Sequence, residues 1–200
     1  EKGNSSIYQI NNNEWQPNSL FGLISRQANG KSHALKTEFN FDYLVCDDMG
    51  TEMADFIGIE SSKNRIVIIH AKACDKTRYL SASAFQEICA QVEKNLDFIS
   101  MYAENEINYK KWENKWKKRI DRIRTGQSSV DIKNKILEIR KNPASTREVW
   151  IMIGNSFDKT MFENELKKTS PSREIVQIIY KLMSTWSSCA QMGVSLKILC

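Results

Sequence analysis

Between residues 41 and 73 the chain alternates short apolar runs with polar turns. Residues 41–46, FDYLVC, are aromatic and β-branched and run into Asp47-Asp48-Met49-Gly50, which has turn chemistry. A second run over 54–59, a polar turn over 61–64 and a third run over 65–71 complete three predicted strands. Residues 1–19 are polar and Asn-rich and read as an irregular leader anchored by Trp15 and Pro17. Asn18 or Ser19 is placed to cap a helix through Leu20, Phe21, Leu23 and Ile24 that ends near Asn29-Gly30. After a polar crossing over 74–80, Ser81 or Ser83 caps a helix with Phe85, Ile88, Cys89, Val92, Leu96 and Ile99 at helical spacing.

In residues 105–124, NEINYKKWENKWKKRIDRIR, Trp112, Trp116, Ile120 and Ile123 fall at i, i+4, i+8 and i+11, which predicts a helix with one apolar stripe. Gly126-Gln127-Ser128-Ser129 breaks it. A helix resumes over 130–141 with Ile132, Ile136, Leu137 and Ile139 inward, and Asn142-Pro143 stops it. Residues 148–154, EVWIMIG, predict a strand inside the sheet. A helix follows over 158–168, and another opens at Ser170-Pro171-Ser172 carrying Ile175, Ile178, Ile179, Leu182, Met183 and Trp186. Residues 193–200 read as a closing strand. This order predicts an α/β fold with a mixed central sheet flanked by helices on both faces. Without repeats or a domain-scale linker, the expectation is a single domain over 1–200, with 105–141 as a basic helical insertion.

Composition adds less. The chain has 200 residues, enough for a sizeable core, and is 41% hydrophobic and 26% charged, as folded domains are. Its net charge is +5, and the span 109–124 alone holds eight Lys or Arg against two acids, so the basic surplus sits in that segment. The five cysteines are scattered without a CxxC and there are only two histidines, which argues against a zinc site and for a reduced, cytoplasmic setting. No apolar run approaches the roughly 18 residues of a membrane span, and no signal peptide is visible. Opening on Glu1-Lys2 rather than Met, the chain reads as a piece of something longer.

The chemistry lies in charges set among the apolar runs: Asp48, Glu52, Asp55, His70 and Lys72. Strand side chains alternate faces, so His70 and Lys72 point the same way. Charged residues inside apolar strands are seldom there for packing, which singles out Asp55 and Lys72. Asp48 and Glu52 also suit a turn that merely prefers acids, and His33 reads as a surface residue. No glycine-rich nucleotide loop and no Ser-His-Asp or Cys-His arrangement is present.

An acid at the head of one strand, a hairpin, then x-Lys at the end of the next resembles the PD-(D/E)XK nuclease superfamily. Asp55 matches the first acid and Lys72 the lysine, while His70 stands where the family has Glu or Asp. The resemblance implies a restriction-endonuclease-like core and metal-dependent hydrolysis of DNA, with the choice between DNA and RNA left open. Asp55 would hold Mg²⁺ or Mn²⁺, His70 would join it as a neutral imidazole better suited to Mn²⁺, and Lys72 would be the cationic helper. Glu52, Asp48 and Glu38 compete to be the second carboxylate. Gln91 matches a Gln or Lys that the family places on the following helix. Lys110, Lys111, Lys117, Lys118 and Arg119 would reach the DNA backbone from the basic segment. The blocks FDYLVCDDMGTEMADFIGI and IVIIHAKA look like nuclease modules attached to helicases in bacterial anti-phage defence, which implies a helicase or other module as partner. Two other readings use the same fold: a catalytically inactive nucleic-acid-binding module, and a protein-interaction module whose contact is the tryptophan-rich segment.

Overall fold

The computed structural model describes residues 2, 13–28, 38–74 and 79–200. Its centre is a six-stranded mixed sheet whose strands lie, edge to edge, at Ile123–Thr125, Tyr43–Cys46, Phe56–Glu60, Arg65–Lys72, Thr146–Ile153 and Ser195–Leu199. Strands β1 (Tyr43–Cys46), β2 (Phe56–Glu60) and β3 (Arg65–Lys72) form an antiparallel meander. The β2–β3 turn is tight, with Asn64 in the left-handed region at φ 46°. Strand β7 (Thr146–Ile153) lies parallel to β3, and β8 (Ser195–Leu199) parallel to β7. β6 (Ile123–Thr125) closes the other edge antiparallel to β1, with a register shift between Leu44 and Val45.

Alternation along the strands splits the core into two layers. Val45, Ile57, Ile59, Ile66, Ile68, Val149 and Ile151 face helices α2 (Ala82–Asn95), α3 (Ser129–Lys141) and α5 (Arg173–Gln191). Leu44, Cys46, Phe56, Val67, Ile69, Trp150 and Met152 face the other way, towards α1 (Leu20–Ala28), Trp15 and Trp116. Phe41 lies flat over Gly58 on this second face, where any β-carbon would meet its ring at 2.9 Å.

Capping follows the sequence closely. Ser19 Oγ accepts from the Gly22 amide at the start of α1, whose expected end at Asn29-Gly30 lies outside the described residues, as does His33. Ser81 caps α2, Asp158 caps α4 (Lys159–Leu166) and Ser172 caps α5, so Pro171 precedes that cap instead of opening the helix. The expected buried face of α2 is buried from Phe85 to Ile99. On α5 the outer face keeps Tyr180, Met183 and Trp186 exposed at 72%, 61% and 61%. No helix among the described residues is long and apolar enough to cross a membrane.

The basic segment departs from expectation. Residues 105–124 are not a helix but a short 3-10 turn (Tyr109–Glu113), a hairpin of β4 (Lys115–Trp116) and β5 (Ile120–Asp121), and the start of β6. The stripe is buried as expected at Trp112, Trp116 and Ile120, but on two different faces. Trp112 joins the α2 layer, whereas Trp116 and Ile120 join the α1 layer. A helix cannot do this, because residues four apart lie on one of its faces. The chain therefore crosses the end of the sheet between the two tryptophans.

Candidate functional site

Two consecutive acids receive that crossing. Asp47 Oδ1 accepts from Trp112 Nε1 at 2.6 Å, and Asp48 Oδ2 accepts from Trp116 Nε1 at 2.6 Å. Neighbouring residues in extended chain point to opposite faces, so each acid meets the tryptophan of its own layer. Asp48 is 2% exposed and is also bonded by Lys2 Nζ at 2.8 Å. Its side chain is committed to the α1 layer through Trp116, and it is not among the residues that line the cleft at His70.

Lys111 is likewise drawn inward. Its ammonium donates to the main-chain oxygens of Asp47 and Thr51, both at 2.9 Å, and pairs with Asp47 Oδ1 at 2.7 Å. It clasps the 47–53 loop, and its three donors are committed there instead of facing a phosphate. Burial pushes the Asp47 carboxyl above its ordinary range, against the pull of Lys111. Glu38 stands at the far end of β3, where its main-chain oxygen accepts from Arg65 and its carboxylate from Lys197. It belongs to an ion cluster with Glu60 and Glu148 at the Arg65 end of the strand, and is not among the residues that line the cleft at His70.

The remaining candidates do converge. Asp55, His70, Gln91 and Glu52 line one narrow cleft with Ala54 and Asn95. Its free volume is about 10 Å³, the space of one water-sized sphere. The β2–β3 register pairs Phe56 with Ile69, so one step further sets Asp55 opposite His70. Asp55 Oδ2 accepts from the Ala71 amide at 2.7 Å, which fixes the carboxylate across the hairpin. Glu52 enters from the 47–53 loop, where its Oε2 accepts from the Met49 amide at 2.7 Å. Met49 and Gly50 both have positive φ, 77° and 81°, and make the reversal that delivers it.

From the opposite wall α2 presents Glu87, Gln91 and Asn95, four residues apart on one helix face. Gln91 and Asn95 line the cleft, and Glu87 Oε1 accepts from Lys72 Nζ at 2.6 Å just above it. Glu87 and Asn95 were missed by sequence reasoning. Their i±4 spacing from Gln91 was the available signal. Glu52 and Asn95 also line a wider groove of about 500 Å³ with Thr51, Lys94, Asp97 and Asn108.

His70 is the anomaly of the cleft. It is 2% exposed, its Nε2 has no hydrogen-bond partner, and burial lowers its pKa to about 4. A neutral imidazole with an unused nitrogen is a suitable donor for a divalent ion such as Mn²⁺, and carboxylate oxygens complete the right chemistry. Among the described residues, however, no three His, Cys, Asp or Glu side chains are gathered as for a metal. The donor types fit an ion; the number assembled at one point falls short of a closed shell. Of the remaining basic candidates, Lys110, Lys117, Lys118 and Arg119 are exposed. The chain matches no protein-family model, no curated protein and no solved structure.

Proposed function

We propose that the chain is a metal-dependent nuclease of the PD-(D/E)XK kind, acting on DNA in a cytoplasmic setting as a module of a larger defence protein or complex. The observation that carries this reading is the convergence of Asp55, His70 and Gln91 on one cleft from three separate stretches of chain, with Lys72 at its rim. The element order supports it: a helix, an antiparallel meander with the acid at the head of its second strand, x-Lys at the end of its third, then a helix bearing Gln. The five cysteines are free, as a reducing compartment would leave them.

In this reading Asp55 and His70 hold Mg²⁺ or Mn²⁺, with Glu52 as the nearby second carboxylate. Such an ion would supply Lewis-acid polarisation of the phosphodiester and would make a water more acidic. Asp55 is oriented by the Ala71 amide, which donates to its Oδ2. Gln91 orients the attacking water through its amide, and Lys72, steadied by Glu87, faces the charge that develops on the phosphate.

A second reading, a non-catalytic nucleic-acid-binding module, is favoured by the lack of a gathered three-ligand group among the described residues. Plasmid nicking in Mg²⁺ and Mn²⁺ separates the two. Asp55→Ala and Lys72→Ala are each expected to abolish cleavage with the fold retained, Asp55→Ala melting somewhat lower because the Ala71 amide loses its acceptor. His70→Glu is expected to keep cleavage or to move its preference from Mn²⁺ towards Mg²⁺, as oxygen replaces nitrogen. Full activity in Asp55→Ala would remove the nuclease from this cleft. No cleavage by the parent chain in either ion, with DNA binding intact, would establish the second reading.

A further inference from the structure

The tip of the β4–β5 hairpin carries lysine where its backbone asks for glycine or asparagine. The turn closes with the Arg119 amide donating to the Trp116 carbonyl at 3.0 Å, and its central residues Lys117 and Lys118 have φ of 44° and 59°. Turns with both central residues at positive φ select Asn-Gly strongly, because a β-carbon is disfavoured there. Two adjacent side-chain-bearing residues in this conformation are a standing strain, and such strain persists where something else is gained. The fold gains little from these side chains. All three tip cations are exposed, and among the described residues neither Lys118 nor Arg119 has an ion-pair or hydrogen-bond partner for its side chain. Lys117 Nζ lies 4.9 Å from the Trp116 ring centroid. By contrast, Lys115 in the stem pairs with Asp121, and Lys111 in the preceding turn pairs with the 47–53 loop.

We propose that Lys117, Lys118 and Arg119 form a rigid finger that grips the phosphate backbone of nucleic acid, and that the left-handed turn is kept because it splays three cations at one point. The stem is anchored through Trp116 on Asp48, so the finger is held by the same loop that carries Glu52 into the cleft. That the polyanion is nucleic acid rests on the nuclease reading above; the grip itself needs no cleavage. A phosphate contact of this kind is independent of sequence and steep in salt.

The test replaces the strained pair by the turn's preferred residues, Lys117→Asn with Lys118→Gly, in the full chain. Binding to a fluorescein-labelled DNA duplex of arbitrary sequence is titrated against salt in EDTA, so that catalysis plays no part. Affinity is expected to fall about tenfold at physiological salt, with the slope of log K against log salt reduced by about 2. The melting temperature is expected to rise by roughly 2–4 °C as the strain is relieved. Unchanged affinity and slope would overturn the proposal. So would a variant that melts lower than the parent, since the lysines would then serve the fold through Trp116. Loss of binding to phosphatidylserine vesicles with duplex binding intact would overturn it as well, in favour of a membrane. Loss of cleavage in Asp55→Ala with this salt dependence preserved would leave the finger standing apart from the active site.

Discussion

His70 sits in a position that most proteins give to an apolar residue or to a charged one with a partner. It faces Asp55, Glu52 and Gln91 across the cleft, with Lys72 two residues on along the same strand face. Its pKa falls from 6.5 to about 4 because burial disfavours the imidazolium. The unfolded chain therefore takes up a proton near pH 6.5 that the folded chain refuses until about pH 4. The associated stability is present above pH 6.5 and is lost as pH falls through that window, to a total of roughly 3 kcal/mol. In EDTA, the melting temperature is expected to drop between pH 7 and pH 4.5. In His70→Gln, which has nothing to protonate, that part of the drop should vanish. Parallel pH profiles for the two proteins would mean that the imidazole is reachable by solvent in the folded state.

Lys111 shows how far an element can be misjudged from its charge. It belongs to the most basic stretch of the chain, yet its side chain is only 14% exposed and fastens Asp47 and Thr51, 64 and 60 residues away. Lys111→Met is expected to cost roughly 3 kcal/mol in urea denaturation, because the buried Asp47 carboxylate loses its counter-charge. Pairing it with Asp47→Asn should restore a good part of that loss, and strict additivity of the two changes would refute the coupling. The three meander strands, β7, β8 and helices α1 to α5 were legible because local pattern and tertiary burial agree there. Phe85 to Ile99 is one example, and the EVWIMIG strand is another. The hairpin was not legible, since a four-residue repeat of large apolar side chains reads as one helix face whether they share a layer or not. Nor could spacing reveal that Asp47 and Asp48 bind indoles rather than an ion, because each partner lies over 60 positions away. Asp55, His70 and Gln91 were legible because a hairpin and the next helix bring them together by short-range rules. Glu38 lay close in sequence but at the wrong end of β3.

At the scale of the molecule, one sheet separates two apolar layers that share every strand backbone. Neither layer has a sheet of its own, so neither can persist when the other opens. Unfolding in urea is expected to be a single transition, with far-ultraviolet circular dichroism and tryptophan fluorescence coincident. Trp112 reports from the α2 layer and Trp15, Trp116 and Trp150 from the α1 layer, so separate transitions would show that the layers are independent. The paired acids make a further demand, on counting. Asp47 and Asp48 work as adjacent residues only because odd and even positions address different sides of the sheet. Inserting one residue ahead of them would hand each carboxylate to the wrong indole and turn Glu52 off its heading, whereas two added residues would restore the parity. Length changes in this loop should therefore be tolerated in steps of two, and the four-residue interval from Trp112 to Trp116 is the ruler against which they are measured.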